Sequence, residues 1–276
     1  MLRRAARTLG WFALGGRAPE WRPASIAGST VVFSPHFDDE TLGAGASTLR
    51  LRECHTPVHI VFMTDGSRSH TAIPGEELAA LRHEEGVRAA NVLGVAPADV
   101  SFLGYPETRL ATCRAEAIDR VAGLLERLEC GRVLVPSLLE PDVWSTDHRT
   151  TTEVVFAALA RSGRRCEVVE YLVWFWYHWP WVPILGTGDA RQLFKLSLQN
   201  GFGIRAWQAV NASVSIDAFR ARKQTALGQH RTQITRVRSD KPWPVLGDVA
   251  RGEFLDAFFR SREWLRTGMW EGARDA

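Results

Sequence analysis

A chain of 276 residues with 45% hydrophobic and 24% charged content has the material for a sizeable buried core. Its net charge is only +3 and its Lys and Arg are scattered without dense runs, which argues against a nucleic-acid partner. Cys54, Cys113, Cys130 and Cys166 stand far apart with no Cys-x-x-Cys pair, which argues against a disulfide framework and a cysteine-ligated metal and fits a reduced, cytoplasmic setting.

The chain opens on MLRRAARTLGWFALGG, whose apolar stretch is too short for a secretory signal. It reads as a short amphipathic helix packed on the domain, with a basic face able to make weak peripheral contact with an anionic membrane. No segment reaches the ~20 apolar residues that span a bilayer. Val31 to Ser34 and His59 to Thr64 are β-branched or aromatic runs of strand length. Glu76 to Leu93 reads as a helix ended by Gly94, and Val100 to Leu103 as a further strand. Arg114 to Glu129 repeats Ala117, Val121, Leu124, Leu125 and Leu128 at helical spacing. Arg132 to Ser137 and Cys166 to Trp174 read as strands, with a helix starting near Asp147-His148 between them. Asp217 to His230 and Glu253 to Leu265 are predicted as late helices.

Strands alternating with helices predict an α/β, Rossmann-like architecture with a mostly parallel sheet and helices on both faces. The reading is a single domain over 1–276, with its core at about 28–235 between an N-terminal extension and a C-terminal helical extension. Ligands of such folds gather at the carboxyl ends of the strands. His36 follows the first strand, Asp65 the second, and the segment Pro141 to His148 a later one.

His36, Asp38 and Asp39 lie within four residues at a strand end. A catalytic zinc commonly takes three His or carboxylate ligands and keeps a fourth position open. His36 and Asp39 can supply two, Asp147-His148 the third, and Asp38 can act as a proton acceptor. Helix capping by the acidic residues is the competing reading of the same spacing.

At these residues the sequence resembles the LmbE-like or PIG-L family of zinc-dependent N-acetylglucosaminyl deacetylases, from about Val31 to Gln233. The resemblance is carried by His36-Phe37-Asp38-Asp39-Glu40 followed by Thr41-Leu42-Gly43. Supporting it are Met63-Thr64-Asp65-Gly66, Arg82-x-x-Glu85 before Leu93-Gly94, and Phe102-Leu103-Gly104-Tyr105-Pro106 before Leu110. Lys223-x-x-Ala226-Leu227-x-x-His230-x-x-Gln233 adds a late match.

What the resemblance implies is Zn2+ held by His36, Asp39 and His148, Asp38 as general base, and hydrolysis of the N-acyl group of an amino sugar. Asp65 and Arg82, in the supporting motifs, are the expected substrate-binding residues. Plausible carriers of the sugar are a glycolipid, a polysaccharide precursor or a glycosylated natural product. The family's second motif usually reads His-Pro-Asp-His, whereas this chain has Ser145-Thr146-Asp147-His148. Ser145 donates a hydrogen bond but carries no positive charge. His178 is therefore the preferred candidate to enter the site in its place, ahead of His230, whose expected role is structural.

The segment Tyr171 to Trp181 holds four tryptophans. In an extended chain Leu172, Trp174, Trp176 and His178 share one side, with Trp174 and Trp176 expected in the core. Trp179 and Trp181 are the expected sugar-stacking or acyl-pocket residues. Gly43-Ala44-Gly45-Ala46 mimics a dinucleotide fingerprint with Asp65 beyond it, but it begins nine residues after Ser34, inside the expected first helix, and not in the strand-to-helix turn. Two further alternatives are a sugar-binding paralogue that lost catalysis with the histidine missing at Ser145, and a zinc amidase acting on a thiol-conjugate.

Overall fold

The structure is a computed structural model that describes residues 2–186 and 188–270, the side chains of 2–4, 14 and 15 excepted. Seven strands form one sheet: β1 (Ser29–Ser34), β2 (Val58–Thr64), β3 (Val100–Tyr105), β4 (Cys130–Pro136), β5 (Cys166–Tyr171), β6 (Ala212–Ser215) and β7 (Arg262–Trp270). Their order is β3-β2-β1-β4-β5-β7-β6, parallel from β3 to β5 and antiparallel at β5/β7 and β7/β6.

Alternation along β1, β2 and β4 divides the core into two layers. Val31, Phe33, Val61, Met63, Val133 and Val135 face one side, and Val32, Ile60, Phe62 and Leu134 the other. The helices in chain order are α1 (Leu2–Arg17), α2 (Asp39–Leu42), α3 (Gly45–Glu53), α4 (Gly75–Val92), α5 (Arg114–Arg127) and α6 (Asp147–Ser162). After them come α7 (Ala190–Gln199), α8 (Ile204–Ala209), α9 (Arg220–Leu227), α10 (Arg231–Ile234) and α11 (Glu253–Ala257). The predicted stripe Ala117, Val121, Leu124 and Leu125 of α5 packs with α6 residues Val154 and Ala158 on the first layer. Among the described residues no helix is long and apolar enough to cross a membrane.

Several expectations need correction. Glu253 to Leu265 is not one helix: after the short α11, Arg262–Trp270 becomes β7, paired on one edge with β5 and on the other with β6. Trp264 and Leu265 are both buried there, so pairing across the sheet overrides the local helical spacing. The C-terminal part thus supplies sheet strands, not a helical extension. Asp217 to His230 is helical only over α9.

The strand expected over Cys166 to Trp174 ends at Tyr171, and Trp174–Tyr177 forms a 3-10 turn. The buried Glu140 carboxylate accepts the backbone N–H groups of Val173 and Phe175 and so curls the chain off the sheet. The alternation of Leu172, Trp174, Trp176 and His178 is lost with it. The glycines that mimic a dinucleotide loop have a packing role. A Cβ on Gly43 would stand 2.3 Å from the Tyr171 ring, whose hydroxyl donates to the Phe33 carbonyl at 2.7 Å.

The chain leaves β1 toward β2 and β3 on one side, while β4 leads to β5 on the other. The carboxyl ends of the adjacent strands β1 and β4 therefore form the switch-point crevice. His36 follows β1, and the loop after β4 delivers Asp147 and His148 at the start of α6.

Candidate metal centre

The turn after β1 is strained: Asp38 has φ 123°, in the region that favours glycine. It is tied down by Glu40, whose Oε2 accepts the Asp38 N–H at 3.0 Å and whose backbone N–H donates to Ser34 Oγ at 3.0 Å. His230 Nε2 lies 2.7 Å from Glu40 Oε1, both groups fully buried. His230 is therefore a brace of the loop, as expected of it. Lys223 and Gln233, from the same late motif, hold Glu263 and Ser69.

This turn brings His36 and Asp39 to His148, with one ligand atom from each lying within 4.8 Å of the others. Nε2 of His148 is 3.1 Å from Asp39 Oδ2, and Nδ1 of His36 is 3.4 Å from the same oxygen. The remaining imidazole nitrogens face second carboxylates. His36 Nε2 is 3.1 Å from Asp147 Oδ2, which also accepts the Thr108 N–H at 2.6 Å. His148 Nδ1 stands 3.7 Å from Glu140 Oε2, and both atoms lack a hydrogen-bond partner.

Burial works against charge on both imidazoles, but Asp147 and Asp39 push the pKa of His36 up to about 10, and Asp39 and Glu140 push that of His148 up to about 9. Burial likewise opposes ionisation of Asp39, yet His148 and His36 hold its carboxyl well below the usual range. A negative centre that concentrates positive charge, with two imidazoles and a carboxylate converging, is a donor set that fits a divalent cation of zinc type. Asp38 is buried beside it and outside the converging set. Burial, then the charge of Asp39, pushes its pKa up to about 7.

A cavity of about 570 Å³ opens at this centre. His36, Asp38, Asp39, Arg82 and Ser145 line it, with Glu107, Trp144, Trp174 and Asp189. Arg82 is 1% exposed and spends its guanidinium on the Phe37 carbonyl at 2.8 Å and on Glu107 at 3.3 Å. Ser145 Oγ accepts the Asp147 N–H at 3.3 Å. A recess of about 750 Å³ along α6 and β7 is larger but shares no lining residue with this cavity and holds no histidine or cysteine.

Four expected site residues are not brought in. His178 is outside the cavity lining, buried against Phe175 and close to Gly203, with both ring nitrogens unpartnered. The 3-10 turn rotates it away from the centre, so it does not fill the place left by Ser145. Trp181 is buried in an aromatic cluster with Trp11 and Trp176. Trp179 packs edge-on to Phe202. Asp65 Oδ1 accepts the N–H groups of Ser67 and Glu107 and holds the loop after β2. The aromatic wall is made by Trp144 and Trp174 instead, ring centroids 5.1 Å apart and edge to face. Position next to Ser145-Thr146-Asp147-His148 is the sequence signal for Trp144, whereas Trp174, expected in the core, is brought to the wall by the turn after β5.

Residues 31–159 match the family described as PIG-L, GlcNAc-PI de-N-acetylase. The match contains His36 and Asp39, which follow β1, and His148 at the start of α6. A diacetylchitobiose deacetylase of Thermococcus kodakarensis is 30% identical over 143 residues, which is 51% of this chain and 52% of that protein, so the match spans about half of the relative. Beyond the PIG-L segment the fold is also shared. The N,N'-diacetylchitobiose deacetylase of Pyrococcus horikoshii superposes with a TM-score of 0.65 at 20% identity, covering 97% of this chain and 93% of the other. The 4-carboxy-2-hydroxymuconate hydratase of Pseudomonas putida has the fold too, with a TM-score of 0.58 at 15% identity over 90% of this chain and 99% of its own. The architecture therefore serves more than one chemistry, and the site has to carry the functional argument.

Proposed function

We propose that the chain is a zinc-dependent hydrolase that removes the N-acyl group, acetyl in the first instance, from an amino sugar of a glycoconjugate, working as a single catalytic domain. The observation that carries this reading is the convergence of His36, Asp39 and His148, all within the PIG-L match, beside an aromatic-walled cavity that His36 and Asp39 line. The deacetylase relatives in the comparison support it over hydration.

In this reading His36, Asp39 and His148 hold the zinc, with Asp147 and Glu140 orienting the two imidazoles. The zinc, when bound, supplies Lewis-acid polarisation and lowers the pKa of water. Asp38 takes a proton from the water that adds to the amide carbonyl carbon. It returns that proton to the amine nitrogen as the C–N bond breaks, leaving a carboxylate and a free amino sugar. Arg82 acts in the cavity lining by fixing Phe37 and Glu107, and Ser145 by fixing Asp147.

The test is metal analysis of the purified chain with an acetate-release assay over N,N'-diacetylchitobiose, an N-acetylglucosaminyl lipid, a glycopeptide pseudoaglycone and an N-acetylated thiol-conjugate. Stoichiometric zinc with acetate release that a chelator abolishes is the expected result. Zinc bound without release from any N-acyl sugar would favour the inactive sugar-binding paralogue, and release only from a thiol-conjugate the amidase.

A further inference from the structure

We propose that Trp174 is a catalytic residue whose indole N–H donates to the oxygen of the scissile amide as that oxygen gains negative charge. The proposal rests on the deacetylase reading and concerns the donor that Ser145 does not replace.

The starting observation is that Nε1 of Trp174 donates to Nε2 of His148 at 3.1 Å. That nitrogen is the one turned toward Asp39, 3.1 Å from its Oδ2, and its lone pair is the one a cation at this centre would take. A ring nitrogen has a single in-plane lone pair, so it cannot serve the cation and the indole together. The indole has one hydrogen and no acceptor atom. When the cation binds, the Trp174 N–H loses its partner beside the reacting centre.

The ring cannot turn away to find another. Trp174 is stacked on Phe254 with centroids 5.1 Å apart and planes within 14°, and it meets Trp144 and Tyr177 edge to face. Its N–H therefore stays aimed at Nε2 of His148, beside the cavity that the ring lines. A fixed donor waiting where charge develops is the arrangement that stabilises an oxyanion without reorganisation. Arg82 and the Thr108 N–H, two further donors of the lining, are committed elsewhere. The Arg82 Nη atoms bond the carbonyls of Phe37 and Gly66 and the side chains of Ser69 and Glu107, and the Thr108 N–H bonds Asp147.

The experiment uses the full chain loaded with zinc, its tryptophans labelled with ¹⁵N, and acetate as the probe, because a carboxylate presents an anionic oxygen to the same position. Of the eleven indole signals, one is expected to move downfield on acetate addition, to be missing in Trp174→Phe and to persist in Trp144→Phe. Trp174→Phe is expected to keep stoichiometric zinc, to bind acetate about 10-fold more weakly and to lower kcat roughly 10²-fold. Acetate leaving all the indole signals in place, or a Phe variant with wild-type acetate affinity, overturns the proposal. Should the Phe variant fail to fold, the wild-type titration with Trp144→Phe decides alone. The indole readout needs no turnover, so the two failures are distinguishable: a silent sugar assay with a moving indole signal sinks the deacetylase reading, and an active assay with unmoved indole signals sinks the donor role of Trp174.

Discussion

Oε2 of Glu140 lies 3.7 Å from Nδ1 of His148, while Oε1 of the same carboxylate accepts the N–H of Phe175 at 3.2 Å and that of Val173. One buried side chain thus orients an imidazole of the metal centre and sets the turn that presents Trp174. Glu140→Gln keeps an amide oxygen for the two backbone donors but removes the negative charge behind the imidazole. Zinc affinity is expected to fall about 10- to 100-fold, the usual worth of an orienting carboxylate, with little loss of stability. Competition against a fluorescent chelator measures it, and an unchanged affinity would remove Glu140 from the support of the centre.

His148→Ala and Asp38→Asn should separate ligand from base. The first removes one of three converging donors, so stoichiometric zinc should be lost. The second leaves all three in place, so zinc should remain while kcat falls by a factor on the order of 10²–10⁴. Metal loss in Asp38→Asn equal to that in His148→Ala would move Asp38 into the coordination set.

Lys223 is fully buried, and its ammonium bonds Glu263 at 2.7 Å and the carbonyls of Leu42 and Phe258. Glu263 in turn accepts the N–H groups of Ala46 and Ser47 in the first turn of α3. Lys223→Met would leave the Glu263 charge buried with no counter-ion. The expected loss is about 3–5 kcal/mol of unfolding free energy in urea. A loss below about 1 kcal/mol would mean that the capping bonds alone suffice for Glu263.

The same Lys223–Glu263 pair shows where sequence reasoning stopped. β1 to β5 were legible because β-branched runs alternate with helical stripes, and the strand-end rule brought His36, Asp39 and His148 into one site. β7 was not legible, since its stability lies in ladders to β5 and β6 formed from residues far away in sequence. The tryptophans after β5 were equally opaque. Whether Trp174, Trp179 or Trp181 faces the cavity depends on a 3-10 turn fixed by Glu140 more than thirty residues upstream and on Trp11 arriving from α1. No local pattern carries either contact.

His178 offers the last test, because the structure makes it a buried base with no partner where the sequence suggested a catalytic one. Burial, the sole cause of the shift, lowers its pKa from 6.5 to about 4, and the residue is 1% exposed. In the unfolded chain the ring takes up a proton near pH 6.5, while in the folded chain it resists until about pH 4. The unfolded state therefore binds more protons within that window, and stability present above pH 6.5 is lost as the pH falls toward 4. The full loss from this group is on the order of 3 kcal/mol. His178→Leu, close in volume and without a proton to bind, should flatten the acid side of the stability profile relative to wild type, the other histidines cancelling in the difference. Zinc content and turnover of the variant should stay at wild-type level, since the ring does not line the cavity. Urea midpoints of the two proteins across the window decide it: parallel profiles would mean that the ring is solvated or bonded when folded, and a large fall in kcat would return His178 to the active site.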